Sequence, residues 1–443
     1  MTARGLQTLA IHGGIHPSRN RGATTIPLYN SSSFAFESAE DLAKAFEGRH
    51  PGYIYSRITN PTVQAFEQRV AAIEGGAGTV ATSSGMAAIQ SLFYALTEAG
   101  SEVLFSRSLF GGTVLFLRDI AVRAGITVTF VDLEDTQAVD AALARRPRFL
   151  FFETVGNPKL DIPPMKAAID AAASYGVPTV VDATVSSPAL FSAKAWGAAA
   201  VMHSTTKLIT GSGTVIGGVV TDLGQFDWST HASSAIRSER DRVGNGLALV
   251  AALRKQAGLN AGLVMSPFNA FVSALGLETL PLRAAAQGAN ALALAEYLST
   301  HPKAASVRYP GLAGDPYHDR ERQFFRGSSG QLVTFCLEDR RQAFAFMNAL
   351  ELAMRATNLG DAKTLVIHPA STIFHDCAPE ERAYADVSEG MVRVSVGLES
   401  SEDIIEDFDR AFASCSSRGE EYGVHRRSSE TLQSTYPAPG SGW

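Results

Sequence analysis

Pro178-Thr179-Val180-Val181-Asp182 and Ala199-Ala200-Val201-Met202-His203 are short apolar runs separated by a segment of helix length, and the second leads directly into Ser204-Thr205-Thr206-Lys207. An apolar run without alternation is how a strand buried on both faces reads. Working outward, Glu102 to Ser106, Thr127 to Asp132 and Arg148 to Glu153 read as strands by the same rule, with helix-length segments between them. That alternation predicts an α/β fold, a mostly parallel sheet wrapped by helices. Near Ser266 and Pro267 the pattern changes to a long helical stretch through Leu282 and Tyr297, then isolated strands at Leu332 to Leu337 and Val392 to Val396. A smaller C-terminal α+β domain is expected there. Upstream, irregular Gly/Ser/Pro-containing sequence extends to about Asn60, where Pro61 can open a helix through Phe66, Val70 and Ile73. The expected organisation is an arm over 1–60, a large domain over 61–268, a small domain over 269–415, and a polar tail over 416–443 with too little apolar content to repay ordering.

Composition narrows the function. The 443 residues are 45% apolar and 19% charged, with 38 basic against 44 acidic residues and a net charge of -6. No basic block would track a nucleic-acid backbone, so nucleic-acid binding is not expected. No apolar run is long enough to span a membrane, and Met1 to Gly14 does not read as a secretion signal. The three cysteines, Cys336, Cys377 and Cys415, are too widely spaced for a zinc site or a redox dithiol. No metal site is expected, and a reducing, cytoplasmic location fits.

Lys207 follows an apolar strand and precedes the glycine-bearing stretch Gly211 to Gly218. Alone, such a lysine reads as a solvated surface residue. Its company is Asp182, at the end of another strand, where an open α/β sheet collects its ligand groups. A carboxylate there either caps a helix or pairs with a protonated ring nitrogen. Thr82-Ser83-Ser84-Gly85-Met86 stands between a short apolar run and the helix-like Ala87 to Leu96. It reads either as a plain capped turn or as a phosphate site built from free amides at a helix start. Ser204 and Thr206 could add hydroxyl donors.

These residues fall into a larger pattern. In order along the chain stand Tyr53-Ile54-Tyr55-Ser56-Arg57, Asn60-Pro61-Thr62, Ser84-Gly85-Met86, Phe110-Gly111-Gly112-Thr113, Glu153 with Asn157-Pro158, Val181-Asp182, and His203 to Lys207. Asn358 to Leu365, His368 to Thr372 and Arg393 to Glu399 complete it. Over roughly residues 6 to 414 the chain resembles the cystathionine gamma-synthase family of fold-type I pyridoxal-phosphate enzymes, and its run from Asn358 to Thr372 looks most like O-acetylhomoserine sulfhydrylases. The resemblance implies a seven-stranded, mostly parallel sheet that binds pyridoxal 5'-phosphate, with Lys207 as its Schiff-base lysine and Asp182 beside the pyridine nitrogen. It implies Ser84, Gly85, Met86, Ser204 and Thr206 around the phosphate, Phe110 stacked on the ring, and Asn157 near the ring hydroxyl. Tyr55 and Arg57 would reach the phosphate of a neighbouring subunit, in a homodimer or homotetramer with shared sites. Arg393 and Asn358 would bind the substrate α-carboxylate.

The implied activity is γ-replacement on an O-acylhomoserine, chiefly O-acetyl-L-homoserine, with sulfide or a thiol. Alternatives are a carbon or nitrogen nucleophile in a specialised pathway, a γ-lyase, or a cofactor-binding regulator without turnover. Phe110 stands where most members have a tyrosine, which keeps stacking but removes a proton donor. That favours a leaving group, such as acetate, that departs without protonation. Ala183 and Phe374 replace polar residues of the family, and a less polar nucleophile site is expected if their side chains reach it.

Overall fold

A computed structural model of the protein describes residues 4–417. Its larger sheet comprises β1 (Gly78–Thr82), β2 (Glu102–Ser106), β3 (Thr127–Val131), β4 (Leu150–Glu153), β5 (Thr179–Asp182), β6 (Ala200–His203) and β7 (Gly218–Asp222), in the order β1-β7-β6-β5-β4-β2-β3. Six strands point the same way, and β7 is reversed, pairing antiparallel with both β1 and β6. The seven-stranded, mostly parallel sheet expected from the sequence is therefore present. β7 begins where the glycine-bearing stretch Gly211 to Gly218 ends, and no strand is expected there from the sequence. Its five residues are all buried, and the turn back from β6 makes room for it between β6 and β1.

Period-two alternation sorts each strand between two cores. Phe152, Val181 and Val201 point into one, while Phe151, Val180 and Ala200 point into the other, against the helix Gly85–Leu96. Glu153 follows Phe151 by two positions and Asp182 follows Val180 by two. Both carboxylates are thus carried onto the face of that helix.

The second sheet has β8 (Ser306–Arg308), β9 (Leu332–Cys336), β10 (Met354–Arg355), β11 (Leu365–Ile367) and β12 (Met391–Ser395), in the order β10-β11-β12-β9-β8. Val392, Val394 and Val396 enter its core, so the intervening Arg393 faces away from that core. The two parts are joined by the 34-residue helix Pro267–Thr300, capped by Ser266, whose side chain accepts from Asn269 N–H. Ala270, Ala274 and Leu277 pack on the large sheet's side, and Ala291, Leu294 and Leu298 on the small sheet's.

Two expectations need correction. The opening segment is not irregular throughout: Leu6–His12 and Ala39–Phe46 are helices. The first packs on the helix Pro61–Glu74, where Gly14, at φ +71°, comes so close to Ala65 O that a Cβ would clash with it. At the other end the last helix, Ser401–Ser417, continues into the stretch assigned to the tail, and residues 418–443 of that tail lie outside the described residues. Among the described residues no helix is long and apolar enough to cross a membrane, and no group of three or more His, Cys, Asp or Glu could hold a metal ion.

Candidate active site

The C-terminal ends of β4, β5 and β6 open into a cavity of about 390 Å³, closed on one side by the helix Gly85–Leu96 and on another by Asn358 and Arg393. This is where a doubly wound sheet gathers its ligand groups, because the helices that follow the strands diverge there.

Lys207 comes from the turn after β6. Its Nζ donates to Asn358 Oδ1 at 2.7 Å. Burial, and then the charge of Arg393, lower its pKa from 10.5 to about 8. Asn358 also accepts, through its backbone carbonyl, from Arg393 Nη2 at 2.8 Å, while Arg393 Nη1 donates to Asn157 Oδ1 at 3.1 Å. Arg393 Nε is buried without a partner, and burial lowers the guanidinium pKa to about 10. A buried, charged fork with a donor to spare is built for a planar anion.

Asp182 accepts from Thr184 N–H at 2.8 Å and is half-buried; desolvation raises its pKa, an effect opposed by its hydrogen bonds to Thr184. Glu153 lies directly beside it in the β4–β5 register and accepts from Phe110 N–H at 2.6 Å. Burial, reinforced by the charge of Asp182, pushes Glu153 well above the ordinary carboxylate range. Behind this pair, His203 Nε2 lies 2.6 Å from Glu74 Oε1 and its Nδ1 lies 3.1 Å from Ala183 O.

Ser84 caps the helix Gly85–Leu96, its side chain accepting from Ala87 N–H at 3.0 Å. The amides of Gly85 and Met86 are left at the open helix end, facing Ser204 and Thr206. Gly85 is required by this approach, since a Cβ there would lie 2.7 Å from Ser204 Cβ. Phe110 forms part of the wall and is 36% exposed.

The structure thus brings together Ser84, Gly85, Met86, Phe110, Asn157, Asp182, Ser204, Thr206, Lys207, Asn358 and Arg393. Tyr55 and Arg57 do not line this cavity. The guanidinium of Arg57 sits 5.5 Å over the Tyr55 ring and donates to Leu259 O. Ala183 and Phe374 are buried and line no part of the cavity either, so the less polar nucleophile site expected from them does not follow. The residues that line it without an assignment from the sequence include Glu153, Thr113, Thr184, Ile216, Thr357 and Ile373. Glu153 carried a readable signal, because Phe151-Phe152-Glu153 repeats the pattern of Val180-Val181-Asp182. Thr113 belongs to the Phe110-Gly111-Gly112-Thr113 motif, which marks the segment and not a role for that residue.

Residues 7–413 match the family described as Cys/Met metabolism PLP-dependent enzyme. The chain is 38% identical to an O-acetyl-L-homoserine sulfhydrylase of Leptospira meyeri, over 91% of this chain and 96% of that one. It is also 38% identical to an L-methionine gamma-lyase of Pseudomonas putida, over 92% and 97% respectively. A solved structure of a putative O-acetylhomoserine (thiol)-lyase from Campylobacter jejuni, containing a pyridoxyl-lysine phosphate, superposes with a TM-score of 0.87 at 30% identity, covering 93% of this chain and all of that one.

Proposed function

The chain belongs to the Cys/Met metabolism family of PLP-dependent enzymes, and from that membership we propose that it catalyses γ-replacement on O-acetyl-L-homoserine, with sulfide or a thiol giving homocysteine or methionine plus acetate. The observation that carries the reading is the meeting of Lys207, Asp182 and the partly unpaired Arg393 in one cavity, in a chain whose relatives include a named O-acetylhomoserine sulfhydrylase.

The cavity fits pyridoxal phosphate. Asp182, which has no cationic partner among the described residues, suits a protonated ring nitrogen. The amides of Gly85 and Met86, with the Ser204 and Thr206 hydroxyls, suit the phosphate. Lys207 would carry the group covalently, Asn157 would stand near its ring hydroxyl, and Phe110 would stack on it. When bound, the cofactor supplies an electron-withdrawing ring that stabilises negative charge on the carbons of the amino acid. The protein supplies the rest. Arg393 binds the α-carboxylate, and Asn358 ties that arginine to Lys207, so the carboxylate and the base are held in fixed relation. Lys207, with a pKa near 8, is available as a free amine to take the α-proton. Phe110 offers no proton to the departing group, which favours a carboxylate over an alkylthiolate.

Tyr55 and Arg57, remote from their own cavity, are assigned to the phosphate of a second subunit in a homodimer or homotetramer. Residues 61–268 are read as the cofactor-binding part, 269–415 as the smaller part, and the location as cytoplasmic. The test is turnover of purified, cofactor-loaded protein with O-acetylhomoserine, with and without sulfide, followed by mass spectrometry. Homocysteine formed only with sulfide supports the reading, and no acetate release under either condition refutes it. The likeness to a methionine gamma-lyase keeps a second reading, in which a 2-oxo acid and ammonia appear without any added nucleophile.

A further inference from the structure

We propose that Glu153 is a positioning residue that stands in the active site as an uncharged carboxylic acid, seating Phe110 through its carbonyl oxygen and leaving Asp182 as the negative charge of that floor.

The geometry begins with the register. Glu153 and Asp182 are paired neighbours on parallel strands, which lie about 4.8 Å apart, and both side chains line the same cavity. Among the described residues neither has an ion pair to Lys or Arg. Lys207 Nζ is taken by Asn358, and Arg393 by Asn157 and Asn358. Two carboxylates so close, Glu153 buried and Asp182 half-buried, with no lysine or arginine paired to either, do not both ionise; one proton stays on the pair.

The surroundings decide which oxygen keeps it. Asp182 is favoured as the anion by hydrogen bonds from Thr184. The neighbouring His203 adds to this electrostatically, favouring the charged form of Asp182. Glu153 receives a single N–H, that of Phe110, and faces a further acid, Asp161, whose charge opposes its own. The proton therefore sits on Glu153. Its bond to Phe110 N–H lies at the entrance of the helix Gly111–Phe116, so the same carboxyl sets where the Phe110 ring begins.

The inference deepens the proposed function, since the charge left on Asp182 is meant for a cofactor ring nitrogen. Its first test does not depend on that reading. Infrared difference spectra at neutral pH, native minus Glu153→Gln and native minus Asp182→Asn, are recorded on cofactor-loaded and cofactor-free protein. The carbonyl stretch of a protonated carboxylic acid is expected to vanish with Glu153→Gln. Its survival there, or its loss only with Asp182→Asn, overturns the proposal.

The second test uses the visible band of the loaded protein, and failure of any such band to form would count against the cofactor reading alone. Glu153→Gln keeps the acceptor and the neutral charge, so the pH midpoint of the band should stay in place. If Glu153 were ionised, removing its charge would move that midpoint by on the order of two pH units. Glu153→Ala, which deletes the acceptor for Phe110, should change the visible circular dichroism of the bound cofactor, and Glu153→Gln should restore it. Native-like dichroism in Glu153→Ala would overturn the positioning role.

Discussion

Arg393→Ala tests the carboxylate-binding role proposed for that guanidinium. In the native protein the guanidinium spends two donors on Asn157 and Asn358 and holds Nε buried with no partner. A carboxylate entering the cavity would meet a charge already desolvated and oriented by two fixed acceptors. Truncating one member of a buried, hydrogen-bonded charge pair costs about 2 to 5 kcal/mol, equivalent to roughly 30- to 5,000-fold in affinity. The assay compares O-acetylhomoserine with its carboxamide in native protein and in Arg393→Ala. Native protein should prefer the acid by that factor, and the variant should bind both alike. Arg393→Lys, a point charge without a planar fork, should fall between. If Arg393→Ala kept an unchanged KM for the acid, or still discriminated against the amide, the carboxylate would bind elsewhere and the orientation derived for the substrate would fail.

Lys207→Ala should abolish the visible absorbance of the lysine-linked cofactor while leaving phosphate-anchored cofactor behind, which absorbance and phosphate analysis would separate. Because the Lys207 pKa is depressed to about 8, covalent attachment to cofactor-free protein should accelerate as pH rises through about 8 and level off above it; an acceleration continuing towards 10.5 would contradict the burial argument. Phe110→Tyr should speed turnover of substrates with alkylthiolate leaving groups more than those losing acetate, and equal effects in steady-state kinetics would remove the leaving-group argument. Gly85→Ala should weaken cofactor binding by roughly 5- to 150-fold, since the added methyl meets Ser204 at 2.7 Å and overpacking of this kind costs about 1 to 3 kcal/mol; equilibrium dialysis gives the answer.

Much of this was legible before any coordinates. Lys207, Asp182 and the Ser84-Gly85-Met86 turn stand at strand ends and at a helix start, and strand periodicity with capping chemistry is local, so a linear reading finds them. The long helix from Pro267 announced itself by Ser266 and a proline at its first position. The strand Gly218–Asp222 escaped notice because it begins at a glycine-rich turn and owes its place to pairing with Gly78–Thr82, far away in sequence.

The sequence by itself determined that the strands form an α/β sheet and offered candidate side chains for the site, because residue type and period-two alternation are properties of short stretches. Only the tertiary structure decided which of those side chains share a cavity and in what charge state. Ala183 and Phe374 look as suited to the pocket as Thr184 and Ile373 when read along the chain, yet one residue of offset turns each from lining to core. Glu153 and Asp182 belong to strands separated by a helix, and only sheet register sets them side by side. The environment that separates their charges is built from Phe110, Asp161, Thr184 and His203, contributed by different segments of the chain, and such an environment comes into being when the chain closes on itself.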